Sequence, residues 1–283
     1  MPRRIVDAHQ HLWDPARNRL SWLRSVPPLD RRFGLDDYAR ATAGAGIVAS
    51  VYLETDVDEP EMLAEARHAL ALAEAPENRI AGVVAAGRPE FDGFGAWLEQ
   101  IAHHPMLKGL RRVLHTQPDG LGETPRFAQN VRALAAFGLS FDVCVRADQL
   151  PTALYLAREC PDVTLVLDHC GNPRVREREL DPWRGRMREL SRHPNVVCKI
   201  SGIVVNADRE HWSAADLRPY VEHCIECFGW DRVLFGSDWP VCTLAAPLTR
   251  WLAALAEIVG GESEDRIDRL FFANAARIYR LAV

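Results

Sequence analysis

Short, almost wholly apolar runs alternate along the chain with longer stretches in which apolar residues recur every three or four positions. Residues 5–12, 48–54, 80–86, 107–114, 140–146, 164–169, 196–201 and 233–238 are rich in Val, Ile, Leu and Phe, the pattern of strands buried on both faces. Between most of them, residues 61–74, 127–137, 149–159, 183–191 and 217–228 carry the helical period. Several of these open on start signals, such as Asp58 with Pro60, or Pro151 in a first turn. Eight strands alternating with helices predict an α/β fold, a (β/α)₈ TIM-type barrel forming a single domain over residues 1–283, rather than an open doubly wound sheet. A Gly-x-Gly-x-x-Gly after a strand is missing, which argues further against a dinucleotide-binding fold. Residues 13–30 break the alternation. They are long for a loop and rich in Pro, Arg and Trp, and they predict a partial cover over the barrel mouth.

Composition narrows the partners. The length of 283 residues suits one barrel, which needs roughly 250. The net charge of −5 comes from 34 basic and 39 acidic residues mixed along the chain, which leaves no electrostatic footprint for nucleic acid or an anionic membrane. The N-terminal segment turns polar too early for a signal peptide, and no apolar run is long enough to span a bilayer. The seven cysteines are odd in number and sit in apolar runs, so they read as small hydrophobes in a reducing cytoplasm. Cys224 and Cys227 form a C-x-x-C without the second Cys or His pair that a zinc ribbon needs, and they read as neighbours on a helix.

The strand ends carry the chemistry, because a barrel of this kind builds its active site at the C-terminal ends of its strands. Those ends offer His9 and His11, Glu54, Arg111 and Arg112, Asp142 and Arg146, His169, Lys199 and Ser201, and Asp238. Charges interrupting buried strands must be satisfied inside the protein, which costs several kcal/mol if they are unpaired. So many together exceed what packing explains. His9 and His11, two apart on a strand, point to one face and converge as a metal-ligand pair or as two groups gripping one substrate. Trp13, Trp22 and Trp239 flank the mouth, where they can stack on the C–H face of a sugar or simply pack the loops.

Val6-Asp7-Ala8-His9-Gln10-His11, Leu167-Asp168-His169-Cys170-Gly171 and Leu234-Phe235-Gly236-Ser237-Asp238-Trp239-Pro240 together resemble the metal-dependent hydrolase (amidohydrolase) superfamily. Within it, the chain is similar to the amidohydrolase-2 branch and to sugar-lactone hydrolases of the L-fuconolactonase and L-rhamnonolactonase type. Lys108–Leu114, Val197–Gly202 and Asn274–Tyr279 extend the resemblance, which runs from residue 5 to residue 281. It implies that His9, His11 and Asp238 form the metal set, with Glu54 or His169 as further ligands. It also implies that Asp238 deprotonates the attacking water, and that His169 completes the site or polarises the scissile carbonyl. Arg111, Arg112, Lys199, Asp142, Trp22 and Trp239 are then the substrate-facing residues.

The chain departs from the superfamily pattern in two places. The fourth strand has arginines and no lysine suited to carbamylation, and the seventh carries Lys199 where a second histidine is expected. These departures predict one divalent ion, Zn²⁺ first, or none, rather than a bridged pair, and no organic cofactor. The expected activity is opening of a small lactone by water attack at the carbonyl, with a sugar-acid 1,4-lactone as first choice. A lactonase of a pyrone or muconolactone acid and a decarboxylase of the same superfamily are the alternatives. A non-catalytic barrel that binds a metal or sugar acid ranks lower, because Asp238 and all three histidines are retained. Small-molecule lactone is the expected partner, and homo-oligomerisation stays open.

Overall fold

In the computed structural model, which describes residues 4–283, eight parallel strands stand in chain order around one axis. They are β1 (Ile5–Gln10), β2 (Ile47–Leu53), β3 (Ile80–Ala86), β4 (Leu107–Val113), β5 (Ser140–Cys144), β6 (Leu165–Leu167), β7 (Val196–Ile200) and β8 (Val233–Phe235). The ring closes where β8 has run out. The Asp238 N–H donates to the His9 carbonyl at 2.8 Å, and the His11 N–H donates to the Trp239 carbonyl at 2.8 Å. The closing bonds thus lie at the catalytic end and fix His9, His11 and Asp238 relative to one another.

Helices α1 (Leu35–Ala41), α2 (Met62–Glu74), α3 (Phe94–Leu98), α4 (Pro125–Ala133), α5 (Leu150–Glu159), α6 (Trp183–Leu190), α7 (Ala214–Phe228) and α8 (Leu248–Ile258) cover the outside, followed by α9 (Glu264–Asp268) and α10 (Asn274–Ile278). The five helices expected from periodicity are present within a few residues of their predicted ends. The 127–137 stretch tightens into a 3₁₀ turn after Ala133. The expected fifth, sixth and eighth strands end earlier than the apolar runs do. Arg146, His169 and Asp238 lie beyond the ladders, because their backbones leave the sheet to present polar groups at the mouth.

Two apolar layers result. One fills the barrel with small and branched residues such as Val6, Ala8, Val51, Val84 and Leu234, sealed from below by Ala275, Ile278 and Tyr279 of the C-terminal segment. The larger layer lies between the sheet and the helices. Residues 13–30 form an ordered cover of two 3₁₀ turns, with Leu20, Leu23 and Leu29 buried. The Trp13 indole N–H donates to the Arg31 carbonyl at 2.9 Å and pins the cover's end. Among the described residues no helix is long and apolar enough to cross a membrane.

Tyr279 does more than plug the barrel, because its hydroxyl donates to Asp142 Oδ2 at 2.7 Å inside the sheet. Tyr279→Phe takes a donor from a fully buried carboxylate. It should lower unfolding free energy by about 1–3 kcal/mol in urea titrations. A loss under about 0.5 kcal/mol would show that the bond contributes nothing net.

Candidate active site

β1 shifts register between Asp7 and Gln10, and a local irregularity of this kind redirects side chains. Asp7 turns toward the helix layer. It accepts bonds from Tyr38 Oη at 2.7 Å and from the Ser237 backbone N–H at 2.8 Å, so it ties β1 to the segment carrying Asp238. His9 and His11 turn inward, and their Nε2 atoms lie 3.1 Å apart. Asp238 Oδ1 is 3.5 Å from His9 Nε2 and 3.4 Å from His11 Nε2.

The hydrogen-bond partners fix which ring nitrogens lack a proton. His11 Nδ1 faces the Leu53 carbonyl at 3.0 Å, so it carries the proton and leaves Nε2 with its lone pair. His9 Nε2 faces an Arg111 guanidinium nitrogen at 3.2 Å, which can only donate, so this nitrogen also accepts. Burial, reinforced by Lys199 and His169, holds the His9 imidazole well below its ordinary pKa and therefore neutral. Two imidazole nitrogens and a carboxylate oxygen converging on one point form a cation-binding set. A tetrahedral ion with bonds of about 2.0–2.2 Å requires donors roughly 3.3–3.6 Å apart; the two imidazole–carboxylate separations of 3.5 and 3.4 Å lie in that range and the 3.1 Å between the imidazoles is slightly short of it. These residues fit a single metal ion.

His169 follows β6 in a turn with φ of +55°, and Asp238 has φ of +57°. Both are uncommon for non-glycine residues and are kept only where surrounding contacts enforce them. Ser201 Oγ lies 2.8 Å from His169 Nδ1, and Gly202 passes so close that an added Cβ would sit 2.4 Å from that nitrogen. Gly236 serves His9 likewise, since a Cβ there would lie 2.6 Å from the His9 Cβ.

Several expected substrate contacts fall elsewhere. Arg111 and Arg112 are consecutive on β4 and must face opposite sides. Arg111 points inward, with Nε donating to Glu54 Oε1 at 2.7 Å, whereas Arg112 points outward to Glu90 at 2.8 Å and leaves the site. Glu54 is occupied by Arg111 rather than by the donor set. Lys199 and Asp142 have no solvent exposure and pair at 2.6 Å beneath the site, so neither reaches a substrate. Trp239 is buried against Phe33 and Tyr38 rather than facing the cavity.

Above the donor set lies a cavity of about 350 Å³, walled by His11, Trp13, Trp22, Asp56, Arg111, His115, His169, Asn172 and Asp238. Asp168, His115, Asp56 and Asn172 escaped the sequence reading. Asp168 was legible only as His169's neighbour, yet it links Lys199 Nζ at 2.9 Å with His9 Nδ1 at 3.3 Å. His115 and Asp56 sit just past their strands, where loop positions carry no periodic signal.

An eight-stranded parallel barrel with histidines from its first strand and an aspartate past its eighth, all at the C-terminal mouth, defines a metal-competent hydrolase-type enzyme. The Amidohydro_2 profile, described as amidohydrolase, matches residues 6–281, and the chain belongs to that family. It is 32% identical over 313 aligned residues to an L-fucono-1,5-lactonase of Burkholderia multivorans, covering 98% of this chain and 96% of that one. An L-fucono-1,5-lactonase of Burkholderia ambifaria is 29% identical, covering 98% and 95%. The crystal structure of a Burkholderia multivorans amidohydrolase with bound zinc superposes with a TM-score of 0.88 at 29% identity, covering 98% and 99% of the two chains.

The opposite orientations of the two arginines give a first test of the site. Arg111→Lys removes the fork that spans Glu54 and His9, and should cut kcat/KM for a hydrolysed lactone about a hundredfold. Arg112→Met should lower the melting temperature while leaving KM within about twofold of the parent. Equal kinetic damage in both variants would refute the assigned orientations.

Protonation gives a second test. Burial lowers His9 and His169 and brings His115 to about 4. All three folded-state values lie below the ordinary 6.5, so on acidification these imidazoles stay neutral where a free histidine protonates. Imidazole ¹⁵N spectra of metal-stripped protein should show all three titrating below a free histidine, with His115 near 4. A midpoint near 6.5 for any of them would contradict the packing described.

Proposed function

We propose that the protein opens lactone rings by attack of water at the ring carbonyl, and that its substrate is a sugar-acid lactone of five-membered (1,4) type. The observation that carries this reading is the convergence of His9 Nε2, His11 Nε2 and Asp238 Oδ1 within 3.1–3.5 Å beneath an arginine- and tryptophan-lined cavity. Family membership and the lactonases among its relatives support the reaction class.

His9, His11 and Asp238 would hold one divalent ion, with Zn²⁺ the first choice. When bound, such an ion lowers the pKa of a coordinated water toward ~7 and polarises a carbonyl. Asp238 takes the proton of the attacking water, since it is the carboxylate at the cavity floor. Arg111, by donating to His9 Nε2, keeps that nitrogen unprotonated, so on ion binding its lone pair passes from Arg111 to the ion. The guanidinium also brings fixed positive charge to the place where the carbonyl oxygen becomes negative. Asp56, pushed up to about 6 by burial and by the neighbouring Glu54 carboxylate, lines the cavity, and its protonated fraction, a minority at neutral pH that grows toward pH 6, can protonate the departing alkoxide. Trp13 and Trp22, edge to face at 5.5 Å, offer an apolar wall to one side of a sugar ring.

A cavity of about 350 Å³ fits one monosaccharide-sized ring, and its polar groups need partners that a bare ring lacks. Sugar 1,4-lactones should therefore be hydrolysed with kcat/KM on the order of a thousandfold above an unsubstituted γ-lactone. The relatives bear the name of a 1,5-lactone, so both ring sizes belong in the assay. Equal rates on the bare ring, or turnover only of an unsaturated dicarboxylate with release of CO₂, would overturn the reading. Asp238→Asn keeps shape but cannot accept a proton, and kcat should fall below about a tenth of the parent's with the fold intact. Purified enzyme should hold at most one equivalent of metal, and two equivalents with proportional activity would refute the single-ion arrangement.

A further inference from the structure

Outside the barrel wall, three cysteines from three elements meet. Cys170 lies in the turn after β6, Cys198 on β7, and Cys224 on α7. Cys198 precedes Lys199 on the strand, so its side chain faces the helix layer while Lys199 faces the barrel interior. All three cysteines are fully buried, and their sulfurs lie within 4.8 Å of one another. The fold thereby separates the C-x-x-C of the sequence. Cys227 Sγ sits 3.3 Å from His223 Nε2 at the edge of α7, while Cys224 joins Cys170 and Cys198. Polar neighbours of the trio are backbone groups: the Lys199 carbonyl, 3.9 Å from Cys170 Sγ, and the Ser201 backbone, which hydrogen-bonds the same sulfur. Among the described residues, no basic side chain hydrogen-bonds to any of the three sulfurs.

Charge decides what such a trio can hold. A divalent zinc ion on three thiolates leaves a net negative charge and a fourth position to fill, both costly where no water reaches. A monovalent soft ion leaves still more negative charge. A trivalent centre on three thiolates is neutral and complete with three ligands. We propose that Cys170, Cys198 and Cys224 form a three-thiol site for a trivalent metalloid, taken up from water as arsenous acid. Three As–O bonds break and three As–S bonds form. Each thiol proton leaves with a hydroxyl as water, so three waters are released, and nothing is oxidised or reduced. Half-buried Cys227 marks the edge of α7, and local opening of that helix provides entry.

Occupancy reaches the active site through two short links. Cys170 follows His169 directly, and both residues have φ of +55°. Ser201, three residues after Cys198, is the partner of His169 Nδ1 at 2.8 Å. Drawing the three sulfurs inward must shift the turn that orients His169.

The test titrates reduced, metal-free, full-length protein with sodium arsenite and reads native mass and the His169 ¹⁵N resonance, neither of which depends on lactone hydrolysis. The expected result is one arsenic gained with three hydrogens lost, together with a moved His169 signal. Cys224→Ala should raise half-saturation at least about tenfold, while Cys227→Ala and Cys160→Ala bind as the parent does. Cys198→Ser, read by the same mass change, replaces Cys224→Ala if that variant does not fold. No uptake by the parent, loss of only two hydrogens, or binding that needs Cys227 would overturn the proposal and leave the trio as three packed small hydrophobes.

Discussion

A lysine ammonium with no solvent contact sits beneath the donor set, and the catalytic end of the barrel is arranged around it. Lys199 Nζ lies 2.6 Å from Asp142 Oδ2, 2.9 Å from Asp168 Oδ1 and 3.3 Å from His9 Nδ1. Burying one charge this way costs several kcal/mol unless partners compensate. Burial works against the Lys199 charge, but Asp142 and Asp168 outweigh it and raise its pKa. Burial also pushes Asp142 up to about 6, even against the pull of Lys199. Asp168 goes the other way: burial opposes its charge, but Lys199 and His9 hold it well below the usual carboxylate range. The ion cluster therefore keeps its charges, and its geometry fixes the His9 ring from below while Arg111 fixes it from the side. Metal-competent geometry at the cavity floor follows from charge satisfaction deeper in the barrel.

The strained positions belong to the same logic. His169 and Asp238 are held at positive φ by contacts with Ser201, Asp7's partner Ser237, and the closing bonds between the β1 and β8 ends. Such conformations cost about 1–3 kcal/mol each. The close approaches of Gly202 and Gly236 show how little room the neighbouring backbone leaves for relaxation. The donor-set and turn residues thus sit on the closing seam of the barrel, while the cover of residues 13–30 supplies part of the wall that shapes the cavity.

Much of this was legible in the sequence, because buried parallel strands announce themselves as apolar runs and a polar residue at the end of one must have a reason. His9, His11, His169, Arg111 and Asp238 stand out on that ground, and the structure brings all five together at the barrel mouth. Arg112 ends the same strand but faces away from the site, because alternation along β4 sends neighbours to opposite faces. Lys199, Asp142 and Glu54 depart from expectation for a different reason. A buried charge can satisfy another buried charge instead of a substrate, and only coordinates reveal the pairing. Trp239 was misplaced because an aromatic beside a catalytic residue packs as readily behind the site as over it. Asp168 and His115 were missed for want of any periodic signal in the turns that carry them, and the short helices α1 and α3 span too few residues for a helical period to emerge.

The central claim is that two unprotonated imidazole nitrogens and one carboxylate oxygen define a single cation position at the floor of the barrel mouth. Anomalous diffraction from crystals grown with zinc tests it most directly. One peak should appear between His9 Nε2, His11 Nε2 and Asp238 Oδ1, with Lys199 still paired to Asp142 and Asp168 below it. A peak instead between Asp168 and His169, or two peaks bridged across the site, or none in zinc-saturated crystals, would contradict the account.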